Sequence, residues 1–369
     1  MERESGTRSI DFCGNLSIDQ TMKILIYRLG SLGDTLLALP CFHTIRAKFP
    51  HAQICLLTNA AVRADALQME EILDSAGIVD EIFTYPLGTR NISAILALMG
   101  DLQKRKFDVA VHLVAPRGWK ASLRDFAFLK LIGAKKIIGV PFAPKDLYPN
   151  EVRQGIWEWE AERLARRVRP LVSVNLLDPT VWDLAVTSED NEEAARLLAR
   201  KEFPTRRWIA ASVGTKSDTK DWTESNWLTL IRSLRTEYPE IGWVMIGAEI
   251  DFKRSERFLS EWLGPQLNLC GKTSFRVSAA VLKEAELFVG HDSGPLHLAA
   301  VVNTPCVAIF SARNFPGQWF PKEGGRNQIF YHRTPCFGCG LEVCVAHAKK
   351  CILSITPHEV GDAIRQILS

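Results

Sequence analysis

The chain has 369 residues, of which 47% are hydrophobic and 24% are charged, and its formal net charge is +3. This composition is typical of a folded globular protein and excludes a largely disordered chain. So small a net charge gives no general argument for nucleic-acid binding, and no uninterrupted apolar run approaches the length of a membrane span. Because the length exceeds that of an ordinary single core, we expect two domains.

Residues 1–21 mix charged side chains with few apolar ones. They lack the apolar core of a signal peptide, so we expect a flexible N-terminal tail and a cytoplasmic protein. In that compartment the nine cysteines are expected to be reduced thiols or metal ligands rather than a disulfide framework.

The first part of the chain alternates short apolar strands with helical patterns. A strand over 23–27, a glycine-containing loop over 28–34 and a helix over 35–49 are the opening unit of a Rossmann-like layer. The later strands predicted in this part are 53–57, 82–83, 108–114 and 137–140, and the helices are 62–73, 92–104, 120–132 and 156–168. This alternation predicts a parallel sheet that is covered on both faces.

Residues 170–187 break this pattern, and we interpret them as a linker. A second alternating block follows, with helices over 189–201, 225–237, 255–263, 277–284 and 357–368, and strands over 208–213, 242–246, 267–270, 287–289 and 306–310. We therefore predict an α/β protein with two Rossmann-like domains, over 22–185 and 186–369, facing each other across a cleft.

The segment 289–300 predicts an anion site late in the chain. A buried strand leads into the polar turn Asp292-Ser293-Gly294, and a helix is expected to start near Pro295. Proline is tolerated at this position because the first N–H groups of a helix have no partner within the helix. Unpaired N–H groups and the helix dipole favour anions at such a turn. Asp292, Ser293 and His297 add side chains that hold hydroxyls and phosphate oxygens.

The loop Gly30-Ser31-Leu32-Gly33-Asp34 ends the first strand and opens a helix. One interpretation is that Asp34 caps the helix, as short acidic residues commonly do. The other is that Asp34 is a general base at the carboxyl edge of the first sheet. The two glycines do not form the GxGxxG pattern of dinucleotide enzymes.

Two further loops follow strands of the second block. Residues 214–222 supply hydroxyls and two lysines, of which Lys220 could neutralise charge on a leaving phosphate, although a solvated loop over packed tryptophans fits the composition equally. Glu249 follows the strand over 242–246, where an acid can accept ribose hydroxyls or simply belong to a polar turn.

Four cysteines lie close together near the C-terminus, at Cys336, Cys339, Cys344 and Cys351. Cysteines so closely spaced can bind Zn²⁺, but the spacing is not that of a standard zinc finger, and structural thiols or an occasional disulfide are the alternatives. Few basic or aromatic residues interleave with them, which disfavours a nucleic-acid-binding knuckle.

A basic segment follows the strand over 108–114. Arg117, Lys120 and Arg124 recur at helical spacing and can share one face. They form either a patch for an anionic acceptor or acidic lipid head groups, or an ordinary solvated helix face.

Together these segments resemble glycosyltransferase family 9, the ADP-heptose:lipopolysaccharide heptosyltransferases. The resemblance covers about residues 22–369 and rests on Arg-Leu-Gly-Ser-Leu-Gly-Asp at 28–34 with Leu39-Pro40, on Lys220-Asp221-Trp222, on Gly-Lys-Thr-Ser at 271–274, and on 290–300. The cysteine run and residues 355–360 also resemble endings in this family. The segment 112–117 departs from it, because the usual Asp-Leu-Gln-Gly is missing there.

The resemblance implies a GT-B fold, inversion at the anomeric carbon and no required metal. By this resemblance Asp34 is the base, Lys220 stabilises the departing phosphates and Asp292 contacts the donor sugar. The same resemblance places Glu249 on the nucleoside, and the other donor-binding residues that we expect are Gly33, Thr215, Ser293, Gly294 and His297. The implied partners are an ADP-heptose donor, an anionic glycolipid acceptor near Arg117, Lys120 and Arg124, and transiently the inner face of the cytoplasmic membrane.

Two alternative functions are open at this point. A GT-B nucleotide-sugar epimerase would act on the donor alone, without a glycolipid acceptor. A non-catalytic, zinc-containing nucleotide-binding regulator would bind stoichiometric Zn²⁺ through the cysteines and show no turnover.

Overall fold

The computed structural model describes residues 21–60, 72–73, 77–86, 88, 91–201, 203–322 and 326–369. The predicted N-terminal tail, apart from Thr21, and most of the helix predicted over 62–73 lie outside these residues.

The first sheet consists of parallel strands with short apolar sequences. Its strands are β1 (Lys23–Tyr27), β2 (Gln53–Asn59), β3 (Glu81–Tyr85), β4 (Val109–His112) and β5 (Lys136–Ile138), in the order β3-β2-β1-β4-β5. The direction of winding reverses between β1 and β4. In open α/β sheets, the carboxyl ends of strands at such a reversal border the ligand crevice.

The second sheet is also parallel. After a short antiparallel pair, β6 (Glu151–Arg153) and β7 (Ile156–Trp157), its strands are β8 (Trp208–Ser212), β9 (Gly242–Met245), β10 (Gln266–Asn268), β11 (Leu287–His291), β12 (Cys306–Phe310) and β13 (Gln328–Tyr331). Their order, β10-β9-β8-β11-β12-β13, is the doubly wound order of a Rossmann fold. The reversal lies between β8 and β11.

Helices cover both faces of each sheet. In chain order they are α1 (Leu32–Lys48), α2 (Ile92–Arg105), α3 (Trp119–Leu131), α4 (Pro144–Leu147), α5 (Glu160–Val168), α6 (Ser188–Leu198), α7 (Glu224–Leu234), α8 (Phe252–Leu259), α9 (Phe275–Lys283), α10 (Gly294–Val301), α11 (Lys350–Leu353) and α12 (Pro357–Leu368). Short 3-10 helices span Pro179–Trp182, Asp218–Lys220 and Glu249–Asp251.

In the described part of the chain, three apolar clusters hold these layers together. The largest contains residues of both sheets and includes Leu36 of α1, Leu164 of α5 and Leu296 of α10. A second cluster packs α7, α8 and α12 on the outer face of the second sheet. The third packs Leu102 of α2 and Leu129 of α3 on the outer face of the first sheet. In the centre of the molecule, α1 and α10 are in direct contact.

Most predicted elements are present with shifted ends, and α12 coincides with the helix predicted over 357–368. The prediction of one helix over 156–168 is wrong at its start, because Ile156–Trp157 form β7 and the helix begins at Glu160. The backbone N–H of Trp157 donates to Pro316 O and that of Glu158 donates to Asn150 O, so both are held by tertiary contacts. Strand β13 is absent from the predicted elements.

Candidate active site

A cavity of about 610 Å³ lies where the reversal points of the two sheets face each other. From the first sheet it is lined by residues 31–34, at the start of α1. From the second sheet it is lined by the ends of β8, β9 and β11 and by the start of α10. The nine residues predicted as catalytic or donor-binding all line it, namely Gly33, Asp34, Thr215, Lys220, Glu249, Asp292, Ser293, Gly294 and His297.

Asp34 lies in the first turn of α1. Its Oδ2 accepts hydrogen bonds from Ser31 N–H at 2.8 Å and from Ser31 Oγ at 2.9 Å. The N-cap of α1 is Ser31, so Asp34 contributes to capping from the third helical position and is not the N-cap itself. The carboxylate is nevertheless 24% exposed and borders the cavity. Asp34 therefore combines a fixed position in the helix start with access to the cavity.

A buried arginine supports this turn from below. Arg28 follows β1, has no exposed surface, and donates to the carbonyl oxygens of Leu113 and Asp34. Its Nη2 also lies 3.6 Å from Asp34 Oδ1. Burial lowers the pKa of Arg28, while the nearby Asp34 and Glu160 favour its charged form. The guanidinium thus ties the ends of β1 and β4 to the turn that carries Asp34.

On the opposite side of the cavity, Asp292 forms a buried ionic cluster. Its Oδ2 is 2.8 Å from Lys220 Nζ and 3.2 Å from Asn314 Nδ2, and its Oδ1 is 3.4 Å from His297 Nε2. Burial alone would raise the pKa of Asp292, but Lys220 and His297 outweigh it and hold that pKa well below its usual range. Asp292 therefore fixes Lys220 and His297 at the cavity wall.

The start of α10 offers hydrogen-bond donors to the cavity. The N-cap, Ser293, makes no side-chain cap hydrogen bond, and its buried Oγ has no partner in the described part of the chain. Pro295 occupies the first turn, as predicted. Free N–H groups at a helix start, with the dipole behind them, form a favourable place for an anion.

The loop from Gly214 to Lys220 is held by the cysteine-containing segment. Ser217 Oγ donates to Glu342 O at 3.1 Å, and Thr219 Oγ1 donates to Leu341 O at 2.8 Å. Arg313, which also lines the cavity, donates to Leu341 O at 2.9 Å. The Ser217 and Thr219 hydroxyls therefore hold the loop in position. In its 3-10 turn, the side chain of Lys220 reaches Asp292.

Sequence reasoning missed several residues of the cavity wall. Arg313, Asn314 and Trp319 follow β12, in a loop that was not among the predicted site segments. The ring of Trp319 contacts the ring of His297 at a centroid distance of 6.0 Å. A polar segment after a buried strand of the second block is the signal that could have identified Arg313 and Asn314.

The predicted acceptor-binding residues lie outside this wall. In the described chain, the cavity lining does not include Arg117, Lys120 or Arg124. Arg117 and Arg124 bind opposite oxygens of buried Asp125, at 2.7 and 2.9 Å, and His112 completes this cluster at 3.1 Å. Lys120 is exposed at the start of α3.

Cys336, Cys339, Cys344 and Cys351 are free thiols. Backbone N–H groups of Lys349 and His347 lower the pKa of Cys344, whereas burial raises that of Cys351. Over the residues that the structure describes, no three His, Cys, Asp or Glu side chains are grouped to hold a metal ion. Within the same residues, no helix combines the length and apolar character needed to cross a membrane.

Comparison with known proteins identifies heptosyltransferases as similar in sequence and in fold. The chain is 24% identical over 305 residues to lipopolysaccharide heptosyltransferase 1 of Campylobacter coli, which covers 79% of this chain and 84% of that protein. A shorter match to lipooligosaccharide heptosyltransferase 2 of Campylobacter jejuni is 30% identical over 101 residues and covers 27% of this chain and 31% of that protein. The solved structure of the E. coli ADP-heptose LPS heptosyltransferase II superposes with a TM-score of 0.65 at 18% identity, covering 94% of this chain and 98% of that chain.

Two Rossmann-like domains with a cavity between them are the architecture of the GT-B fold. The family model of glycosyltransferase family 9 (heptosyltransferase) matches residues 144–340, which is more than half of the chain. The protein belongs to this family and is a glycosyltransferase.

Proposed function

We propose that the protein transfers heptose, with inversion, from ADP-heptose to a lipopolysaccharide core or similar envelope glycan. The observation that carries this proposal is that Asp34 on one side of a single cavity faces Lys220 and the start of α10 on the other. Family membership and the ADP-heptose specificity in the name of the E. coli relative support the donor. The proposed place of action is the cytoplasm, at the inner face of the cytoplasmic membrane.

The donor diphosphate is proposed to lie at the start of α10. The unpartnered Ser293 Oγ, the N–H groups beside Gly294 and the imidazole of His297 are the donors available to its oxygens. Lys220 supplies positive charge at the same wall. In a cavity that excludes water, such preorganised donors stabilise charge more strongly than they would in bulk solvent.

The remaining donor contacts are proposed on the same side. Glu249, exposed at the start of the 3-10 helix that follows β9, accepts ribose hydroxyls, as acids beyond a sheet edge do in many nucleotide sites. Asp292 contacts the heptose while holding Lys220, and Thr215 and Gly33 shape the walls on either side. In this proposed arrangement the anomeric carbon lies between Asp34 and the phosphates.

In the proposed reaction the acceptor hydroxyl oxygen attacks the anomeric carbon from the face opposite the diphosphate. The bond between that carbon and the phosphate oxygen breaks, and ADP leaves with the electron pair. Asp34 takes the hydroxyl proton as the new glycosidic bond forms, which is general-base catalysis. Lys220 and the start of α10 meet the negative charge that develops on ADP, and for this reason we propose that no metal is required.

The acceptor is proposed to be an anionic glycolipid. Arg117, Lys120 and Arg124 are its proposed contacts outside the cavity, reached from the carboxyl edge of β4. Since Asp125 neutralises part of the charge of Arg117 and Arg124, the unpaired charge of this group is greatest at Lys120.

The test measures ADP released from ADP-heptose by the purified protein, with and without a Kdo-lipid A acceptor. We expect release that depends on the acceptor and persists in EDTA. Release without acceptor would indicate donor-only chemistry, and absence of both release and ADP-heptose binding would overturn the proposal.

A further inference from the structure

The outward surfaces of α2 and α3 carry large apolar side chains. Ile92 and Leu96 on α2 are 71% and 60% exposed, and Trp119 and Leu123 on α3 are 60% and 52% exposed. Surface helices of globular proteins ordinarily present charged and polar residues to water. Clustered exposed apolar side chains of this size indicate a surface that binds something.

The two helices lie side by side. Leu102 of α2 and Leu129 of α3 pack into the same apolar cluster on the outer face of the first sheet. Gln103 Nε2 of α2 donates to Leu131 O of α3 at 2.9 Å, which fixes their C-terminal ends together. The exposed apolar residues of both helices therefore belong to one side of the protein.

The α3 part of this side is positively charged, whereas on α2 the exposed Asp101 is paired with Lys104. Asp125 is the single acid in the sequence of α3, and it is buried and bound by Arg117, Arg124 and His112. Lys120 and Lys130 are exposed on the same helix. Their Nζ atoms each lie 5.8 Å from an aromatic ring, that of Trp119 and that of Phe126 respectively.

Apolar side chains combined with lysines beside aromatic rings match the chemistry of an anionic bilayer surface. The apolar groups enter the boundary between head groups and acyl chains, while the ammonium groups remain at the lipid phosphates. Helices α2 and α3 both begin at the carboxyl edge of the first sheet, which is also the edge that carries Asp34. A bilayer against these helices would therefore lie beside the cavity opening.

We infer that Ile92, Leu96, Trp119, Lys120, Leu123 and Lys130 form a docking surface for an anionic phospholipid bilayer, which we call the α2–α3 face. The inference deepens the proposed function and rests on it in one respect, since a lipid-anchored acceptor gives the docking its purpose. Docked in this way, the enzyme meets its acceptor by diffusion along the membrane plane rather than from solution.

The test is sedimentation of the full-length protein with vesicles of phosphatidylglycerol and phosphatidylethanolamine. The double variant Leu96→Ser/Leu123→Ser removes two exposed apolar side chains without touching the cavity. We expect it to bind these vesicles at least about tenfold more weakly than the unchanged protein, because each lost contact with the acyl region reduces partitioning. The matched control is Leu177→Ser/Leu263→Ser, which replaces leucines that are 78% and 75% exposed elsewhere, and it should bind like the unchanged protein.

Charge and insertion are measured separately. Lys130→Glu, raised ionic strength and vesicles of phosphatidylcholine alone should each weaken binding by several-fold, since the lysines act through anionic head groups. Brominated acyl chains should quench part of the tryptophan fluorescence, and Trp119→Phe should remove that part. Equal binding by the double variant and the unchanged protein, or no vesicle binding at all, would overturn the docking surface.

These results are independent of the transferase assay. Vesicle binding without acceptor-dependent ADP release would retain the docking surface and reject the proposed function. ADP release with a detergent-dispersed acceptor, but without vesicle binding, would support the proposed function and reject the docking surface. If the double variant instead dissociated a dimer in analytical ultracentrifugation and left vesicle binding unchanged, the α2–α3 face would be a contact between copies of the protein.

Discussion

Gly33 and His297 come from opposite sides of the cavity and share one small space. A Cβ atom built on Gly33 would lie 2.5 Å from Cδ2 of His297, which is closer than such atoms pack. His297 is 4% exposed and its Nε2 lies 3.4 Å from Asp292, so its ring has little freedom to withdraw. A glycine at position 33 therefore allows α1 and α10 to approach each other, and it sets the distance between Asp34 and the proposed diphosphate site.

Replacing Gly33 with alanine should displace His297 or separate the two helices. We expect kcat/KM to fall by about tenfold or more, because a shift of about 1 Å in a catalytic arrangement has effects of this size. The measurement is steady-state ADP release together with ADP affinity. Gly100→Ala is the matched control, since a Cβ at this glycine of α2 meets nothing within 4 Å. Equal activity of both variants would contradict a structural requirement for glycine at position 33.

The variant Asp34→Asn distinguishes the proposed role of Asp34 as general base from its role in capping α1. Asparagine retains an oxygen for the hydrogen bonds from Ser31, but it cannot take a proton. We expect turnover to fall by about a hundredfold or more with donor affinity nearly unchanged. In Ser31→Ala the hydroxyl contact is lost and the carboxylate remains, so this variant should lose stability rather than turnover. Near-normal turnover of Asp34→Asn would restrict Asp34 to capping.

Local sequence patterns sufficed for four parts of the site that follow strands, although they missed the part that follows β12. The segments ending at Asp34, Lys220, Glu249 and Asp292 each read as strand then loop, and parallel sheets bring the ends of their strands to one edge. The cavity does contain all four residues. Their chemical roles remain predictions, because position alone does not fix a role.

Contacts between distant segments were not predictable in this way. The hydrogen bonds from Ser217 and Thr219 to 341–342 join residues more than 120 positions apart. Arg28 reads in the sequence as one more basic residue of a loop, yet it is fully buried below Asp34. Such outcomes depend on which elements pack together, and hydrophobic periodicity along one segment does not encode that information.

Lys220→Met tests the proposed phosphate contact. Methionine keeps much of the length of the side chain but removes its charge, which leaves Asp292 with Asn314 and His297 as partners. We expect both ADP-heptose affinity and turnover to fall, turnover by roughly a hundredfold, as for the loss of one preorganised donor to a developing anion. Isothermal titration with ADP and steady-state kinetics measure the two effects. Lys283→Met, on the exposed end of α9, is the control, and equal constants for both variants would remove Lys220 from the phosphate site.

The last prediction concerns stability in acid. His291 is fully buried at the end of β11, and its Nε2 accepts hydrogen bonds from Trp222 N–H and Trp227 Nε1–H, both at 3.2 Å. Burial lowers its pKa from the ordinary 6.5 to about 4. When the pH falls below 6.5, the imidazole of His291 is protonated in the unfolded chain but stays neutral in the folded chain. The free energy of unfolding should therefore fall as the pH drops from 6.5 towards 4, by up to about 1.4 kcal/mol per pH unit from this group.

Urea unfolding at several pH values between about 7 and about 5 measures the slope of the free energy of unfolding against pH. Most carboxylates stay ionised in this range. His291→Gln keeps an acceptor for the tryptophan N–H groups but does not titrate, so it should reduce the slope by the contribution of one proton. His112, whose pKa burial also lowers to about 4, should account for a further part of the slope. An unchanged slope in His291→Gln would mean that His291 titrates alike in the folded and unfolded chains.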